Sequence, residues 1–218
     1  MNTRHLSTLM LVGMCGAIAA PARADFTGLA LEQYLGEGWI EHGYEGLTAW
    51  RVYAEFDNEK DRLMAVHAWP GADLTFQSSD GAFWNDPAAD SLIEPVDFTS
   101  FSYWDNQWDS YVTIDADSAE IGRTKLSPDF AEEVGDLQGD FTTSNAVWYI
   151  DPADDLLGFA DGGRVQIAQL TVQAGQTISF LRVSMLLEDG TQIIGAEIPT
   201  PGGLALLAFM AMARHRQR

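Results

Sequence analysis

Residues 48–56 read Thr-Ala-Trp-Arg-Val-Tyr-Ala-Glu-Phe, with Trp50, Val52, Ala54 and Phe56 in one phase of a period-two pattern. Arg51 and Glu55 fall in the other phase. Successive strand side chains point to opposite faces, so the stretch predicts a β-strand with one core face and one wet face. Asp57 to Asp61 then makes a turn, and Leu63 to Trp69 a second, more apolar strand. The two together read as a hairpin with a long loop. Strands are also predicted over 111–114, 146–150, 164–172, 176–187 and 191–196. Two of these slip phase. Val165 and Ile167 give way to Leu170 and Val172 across Ala168, and Ile178 and Phe180 to Leu181 and Val183. An extra residue inserted at a β-bulge produces such slips. One short helix fits after Ser127, which suits a cap, with Pro128 in the first turn and Asp129 and Glu132 at its positive end; Gly135 stops it. Many short strands between Gly and Asp turns predict an all-β fold, a single β-sandwich with one short helix.

Such a fold must hold itself together without disulfides. The one cysteine, Cys15, lies in an apolar N-terminal run, leaving none in the body of the chain. Lipid attachment there is disfavoured, because Met14 stands where a small residue is needed. Charge narrows the partners. All 32 acidic residues lie between Asp25 and Glu197, together with only seven of the 12 basic ones, so this segment carries −25. It repels phosphate backbones, which excludes nucleic acid binding by counterion release. With 46% hydrophobic and 11% aromatic residues the segment has material for a core, so it is not a disordered acidic chain.

Both ends read as addresses. Arg4 precedes an apolar run from Leu6 to Ala20, and Ala22-Arg23-Ala24 supplies the small-x-small pattern of signal peptidase cleavage, making Asp25 the new N-terminus. Residues 1–24 are thus a signal peptide with its apolar helix, and 25–197 the sandwich domain. At the other end, Pro199 and Pro201 break regular structure, Gly203 to Ala213 is apolar throughout, and Arg214, Arg216 and Arg218 close the chain. An apolar helix of this length spans roughly 16–17 Å, about half a bilayer core of ~30 Å. The arginines would stay on the cytoplasmic side.

This three-part tail, Pro199-Thr200-Pro201-Gly202, then an apolar helix, then Arg214 to Arg218, resembles the PEP-CTERM sorting signal of Gram-negative bacteria. Thr200 stands where the commonest form of that family has Glu. The resemblance implies processing by the membrane enzyme exosortase, and covers residues 198–218. The body is similar to secreted bacterial proteins carrying the same tail, over RVYAEFDNEKDRLMAV (51–66), WDSYVTID (108–115) and DGGRVQIAQLTV (161–172). That similarity implies a cohesin-like or jelly-roll type of sandwich and brings no activity with it.

The residues themselves offer little chemistry. The chain has no G-x-S-x-G elbow, H-E-x-x-H pair or Walker loop, and Gly36-Glu37-Gly38 is followed by Glu41 where a dinucleotide fingerprint needs its third glycine. Beyond the signal and before the tail only His42 and His67 remain. His67 reads as a packed core histidine in its apolar strand, and His42 beside Gly43 as solvated. Asp57, Glu59 and Asp61 begin like an EF-hand loop, but Arg62 and Ala68 occupy the required glycine and closing glutamate. Asp151, Asp154, Asp155 and Asp161 form the better candidate calcium set, although such clusters are more often solvated turns. Positions 76 to 111 hold nine of the 24 aromatic residues, interleaved with Asp and Asn. Within them Trp84, Tyr103, Trp104 and Trp108 are candidate glycan contacts, against the plainer reading that these rings pin a long loop to the sheets.

Taken together, the sequence predicts a non-enzymatic protein exported across the inner membrane and held there transiently by its tail. It would end at the cell surface or in the extracellular matrix, in a structural or adhesive role with polysaccharide as a partner. No cofactor is required, with calcium the one candidate ion. The alternative is an extracellular glycan hydrolase, which needs two carboxylates roughly 5 to 10 Å apart near the aromatic stretch.

Overall fold

The computed structural model describes residues 26–34, 46–85, 108–115, 124–134, 137–153 and 156–198. Both addresses, including Ala22, Ala24, Asp25 and everything from Pro199 to Arg218, lie outside them. Among the described residues no helix is long and apolar enough to cross a membrane.

Two antiparallel sheets pack face to face as an all-β sandwich. The first has four strands: β1 (Phe26–Tyr34), β2 (Leu47–Phe56), β9 (Arg164–Gln173) and β5 (Tyr111–Val112), in the spatial order β1-β2-β9-β5. The second has seven: β3 (Leu63–His67), β4 (Leu74–Ser78), β6 (Thr124–Leu126), β7 (Phe141–Thr143), β8 (Val147–Ile150), β10 (Ile178–Leu187) and β11 (Gln192–Ile198). Long β10 organises this sheet. It pairs with β11 along one edge and with β3 and β4 in succession along the other. In turn β8 pairs with β3, β7 with β4, and β6 with β8.

The predicted face of β2 is correct: Val52, Ala54 and Phe56 are buried in the core, and Trp50 packs against it. Both phase slips are bulges. In β9 the register jumps from Val52↔Ala168 to Tyr53↔Gln166, so the extra residue Ile167 lets neighbours Ile167 and Ala168 both enter the core. In β10 it jumps from Ile178↔Ser78 to Phe180↔Gln77, with Ser179 as the extra residue. The hairpin, however, is overturned. β2 and β3 are sequence neighbours in different sheets, so residues 57–62 arch over one end of the sandwich. Period two marks a strand and its buried face, but it does not name the partner strand.

The short helix α1 (Phe130–Val134) forms where expected. Its two apolar ends, Phe130 and Val134, are one turn apart and both buried, which fixes it to the core. Ser127 does not cap it with its side chain. The Ser127 hydroxyl instead accepts a hydrogen bond from the Val147 N–H at 3.3 Å, while its carbonyl accepts from Phe130 N–H at 3.0 Å. Between the sheets Trp148 stands edge-on to Phe76 and Phe130, both with centroids at 6.1 Å. Its indole N–H donates to the Thr113 carbonyl at 3.1 Å, so this buried donor is paired. Full burial of such a ring contributes roughly 2–3 kcal/mol.

Candidate functional site

Strand directions put the sequence's two acidic loops at the same end of the sandwich. The 57–62 arch leaves β2 there, and 151–163 links β8 to β9 at that end. The loops are stitched together. The Leu63 N–H donates to the Gly158 carbonyl at 2.7 Å, Ala160 N–H to Asp61 carbonyl at 2.9 Å, and Glu188 N–H to Arg62 carbonyl at 2.9 Å. Arg62 sits at the junction, only 4% exposed. Its Nε donates to the Leu157 carbonyl at 2.9 Å, its Nη1 to Glu188 at 2.9 Å, and its guanidinium lies 5.0 Å over the Phe159 ring. A guanidinium so buried is costly unless its donors are matched, and here Nη2 has no protein acceptor. Around it Asp57, Glu59, Asp151, Asp161 and Asp189 are exposed. The carboxylate of Asp151 already accepts the Ala153 N–H at 2.9 Å. Among the described residues no three His, Cys, Asp or Glu side chains converge as a metal site. Asp154 and Asp155, the other half of the candidate calcium set, lie outside the described residues.

The outer face of the four-stranded sheet is chemically richer. In the β1–β2 register Glu32 stands opposite Arg51, and Tyr34 opposite Ala49. Arg51 lies 3.8 Å over the Tyr34 ring, and its Nε donates to the Gln169 side-chain carbonyl at 3.4 Å. Gln169 is fully buried and is held in turn by its own Nε2, which donates to the Asp109 carbonyl at 3.0 Å. One row along, Arg164 lies 4.2 Å over Tyr53 and pairs with Glu32 at 2.6 Å. That hydrogen bond, more than any other influence, raises the Arg164 pKa above its usual value. Both partners are substantially exposed, and the pair adds little to stability.

At the upper corner of this face Leu47, Ala49 and Trp108 form a second buried cluster, with Tyr34 and Trp84 packed against it. Trp84 is tied into the sheet by its backbone. Its N–H donates to the Thr171 carbonyl at 2.7 Å, and its carbonyl accepts from the Ser110 hydroxyl at 2.6 Å.

These positions decide which sequence candidates remain open to a ligand. Trp108 is fully buried, 6.1 Å from the Tyr34 ring, so its proposed role as a glycan contact is corrected: it is a core ring of this corner. Trp84 is partly exposed. Tyr103 and Trp104 lie outside the described residues, as does His42. His67 is half-buried at the end of β3 rather than in the core, with Nδ1 2.7 Å from the Ala68 carbonyl and its ring 5.8 Å from Trp69. Sequence reasoning missed Arg51 as a site residue. Its wet-face phase was visible, but the groups around it come from three strands whose registers a single stretch cannot reveal. Comparison with protein-family models, curated proteins and solved structures finds no match to this chain.

Proposed function

We propose that this chain is an exosortase-processed protein of the cell surface or extracellular matrix, with a structural or adhesive role and polysaccharide as its contact. The observation that carries this reading is the order of parts: an export signal, a cysteine-free acidic body, Pro199-Thr200-Pro201, a short apolar run, and three terminal arginines. The fold is compatible with the task. A sandwich closed by hydrophobic packing and a cross-sheet Trp148 hydrogen bond needs no disulfide to persist outside the cell. Strand directions fit an anchored state as well. β1 begins at the end of the acidic loops, whereas β11 runs away from that end to Ile198, which pairs with Leu181 in the opposite half of β10. Attachment through the tail would leave the acidic loops facing away from the membrane. There they keep the surface hydrated and repel like-charged neighbours.

Intact mass of the protein recovered from membrane and medium fractions tests the reading. The expected product begins at Asp25 and has lost the apolar run and the arginines after Gly202. A chain that retains both ends overturns it.

A further inference from the structure

We infer that the Arg51 corner of the outer sheet face is a subsite for a carboxylate-bearing sugar, with Arg51 as the anion fork and Trp84 as the neighbouring ring. This rests on the polysaccharide-contact reading above and names where that contact is made. Among the described arginines, Arg62, Arg164 and Arg182 each hold a carboxylate. Arg51 holds none, although Glu32 stands directly opposite it, because Glu32 turns to Arg164. In a domain of −25, a partly buried arginine left without a carboxylate is a specific feature.

The group is also held ready. The Tyr34 ring supports its guanidinium from below, buried Gln169 fixes Nε, and Asp109 fixes Gln169. Among the described residues neither terminal nitrogen has a hydrogen-bond partner, and the side chain is partly exposed. A planar fork immobilised in this way binds a carboxylate through two parallel hydrogen bonds with little further loss of freedom. Trp84 packs against the same cluster as Tyr34 and is partly exposed as a residue. An indole face suits the C–H face of a sugar ring, while the fork takes the acid group beside it. The long-range field of the domain repels polyanions. The preferred ligand is therefore an otherwise neutral glycan with isolated uronate-type sugars, rather than a densely charged one.

Calorimetry on the full chain in non-ionic detergent tests this, at about 0.15 M salt where the screening length is ~8 Å. The probes are a galactose trisaccharide and the same trisaccharide with its terminal sugar oxidised to galacturonate. The acidic form should bind about ten- to a hundred-fold more tightly, the range expected of a charged hydrogen-bonded pair. Arg51→Gln should reduce it to the neutral level. Arg51→Lys, which keeps charge but not the fork, should fall between, with melting temperatures of both variants checked against the native chain. Equal binding of the two sugars, or unchanged binding by Arg51→Gln, overturns the subsite. So does equal competition by a glutamate tripeptide in a Trp84→Ala variant and the native chain, together with no loss of sugar binding in that variant. These measurements do not depend on export, so their failure leaves the processing result standing, and the reverse holds too.

Discussion

Replacing Gly158 by alanine tests the arch at the acidic end more sharply than any change in the hydrophobic core. Gly158 has φ +78°, and an added Cβ would lie 2.3 Å from the Leu63 carbonyl oxygen and 2.9 Å from Ile150 Cδ1. The positive φ costs an alanine about 1–2 kcal/mol. The carbonyl is backbone and cannot swing away, so the loop must shift by more than an ångström, at an overpacking cost of roughly 1–3 kcal/mol. That shift also stretches the 2.7 Å bond from Leu63 N–H to Gly158, worth about 1 kcal/mol. Together these give about 3–6 kcal/mol, which in a domain of this size lowers the melting temperature by roughly 6–24 °C. Gly162, in the same loop, has φ +63° but nothing within 4 Å of its would-be Cβ. Gly162→Ala should therefore cost only the backbone part, about 1–2 kcal/mol. Thermal and urea unfolding followed by tryptophan fluorescence compares the two. If they melt alike, 151–163 does not press on the start of β3, and the arch between the sheets is wrongly placed.

Three further outcomes are expected, two from the same packing and one from the tail sequence. Val52→Asp puts an unpaired charge into a fully buried site and should cost several kcal/mol in urea unfolding, and a native-like melt would refute the β2 register. Arg62→Ala should destabilise by about 2–4 kcal/mol, since it strips a partner from Leu157, Phe159 and Glu188, whereas Glu188→Gln, on the exposed side, should cost under ~1 kcal/mol. In the tail, Asp at Leu204, Leu206 and Leu207 adds roughly 2.5–3.5 kcal/mol per central charge to insertion and should release the chain uncut. Ala at Pro199 and Pro201 should leave it anchored and uncut, so like behaviour of both variants in membrane-versus-medium fractionation would defeat the sorting proposal.

What could be read from the residues was local. The bulges at Ile167 and Ser179 were legible because each displaces the apolar phase by one, and the core demands both flanking segments. β1 was not, because Gly28 and a register shift between Phe26 and Gly28 break its alternation. β4 carries a clean Leu74-Thr75-Phe76 alternation but is only five residues long, too short to stand out from its turns. The arch was misread as a hairpin since a polar five-residue loop serves either connection, and only the burial of Arg62 at its end distinguishes them. The aromatic stretch was legible as dense, but whether a tryptophan is platform or core depends on neighbours such as Ala49 and Tyr34, far away in sequence.

Charge supplies the last test, because it sets the sign of the salt dependence. With −25 on the body and few cations, like-charge repulsion outweighs attraction in the folded state. The unfolded chain spreads the same charges over a larger volume and gains less from screening. Among the described residues, the exposed pairs Arg164–Glu32 and Arg182–Glu197 contribute about 0–1 kcal/mol each and lose part of that as salt rises. Repulsion among 32 acids is the larger quantity, so the melting temperature should rise as sodium chloride goes from about 0.01 to 0.15 M and the screening length falls from ~30 to ~8 Å. Calcium and magnesium chloride at matched ionic strength then separate screening from site binding. If screening alone operates, the two divalent salts stabilise equally. A larger rise with calcium would mean that the acidic end coordinates the ion, with Asp151 and Asp161 the first residues to replace by Asn. A melting temperature that falls with sodium chloride would refute the argument, because attraction within ion pairs would then outweigh repulsion among the acids.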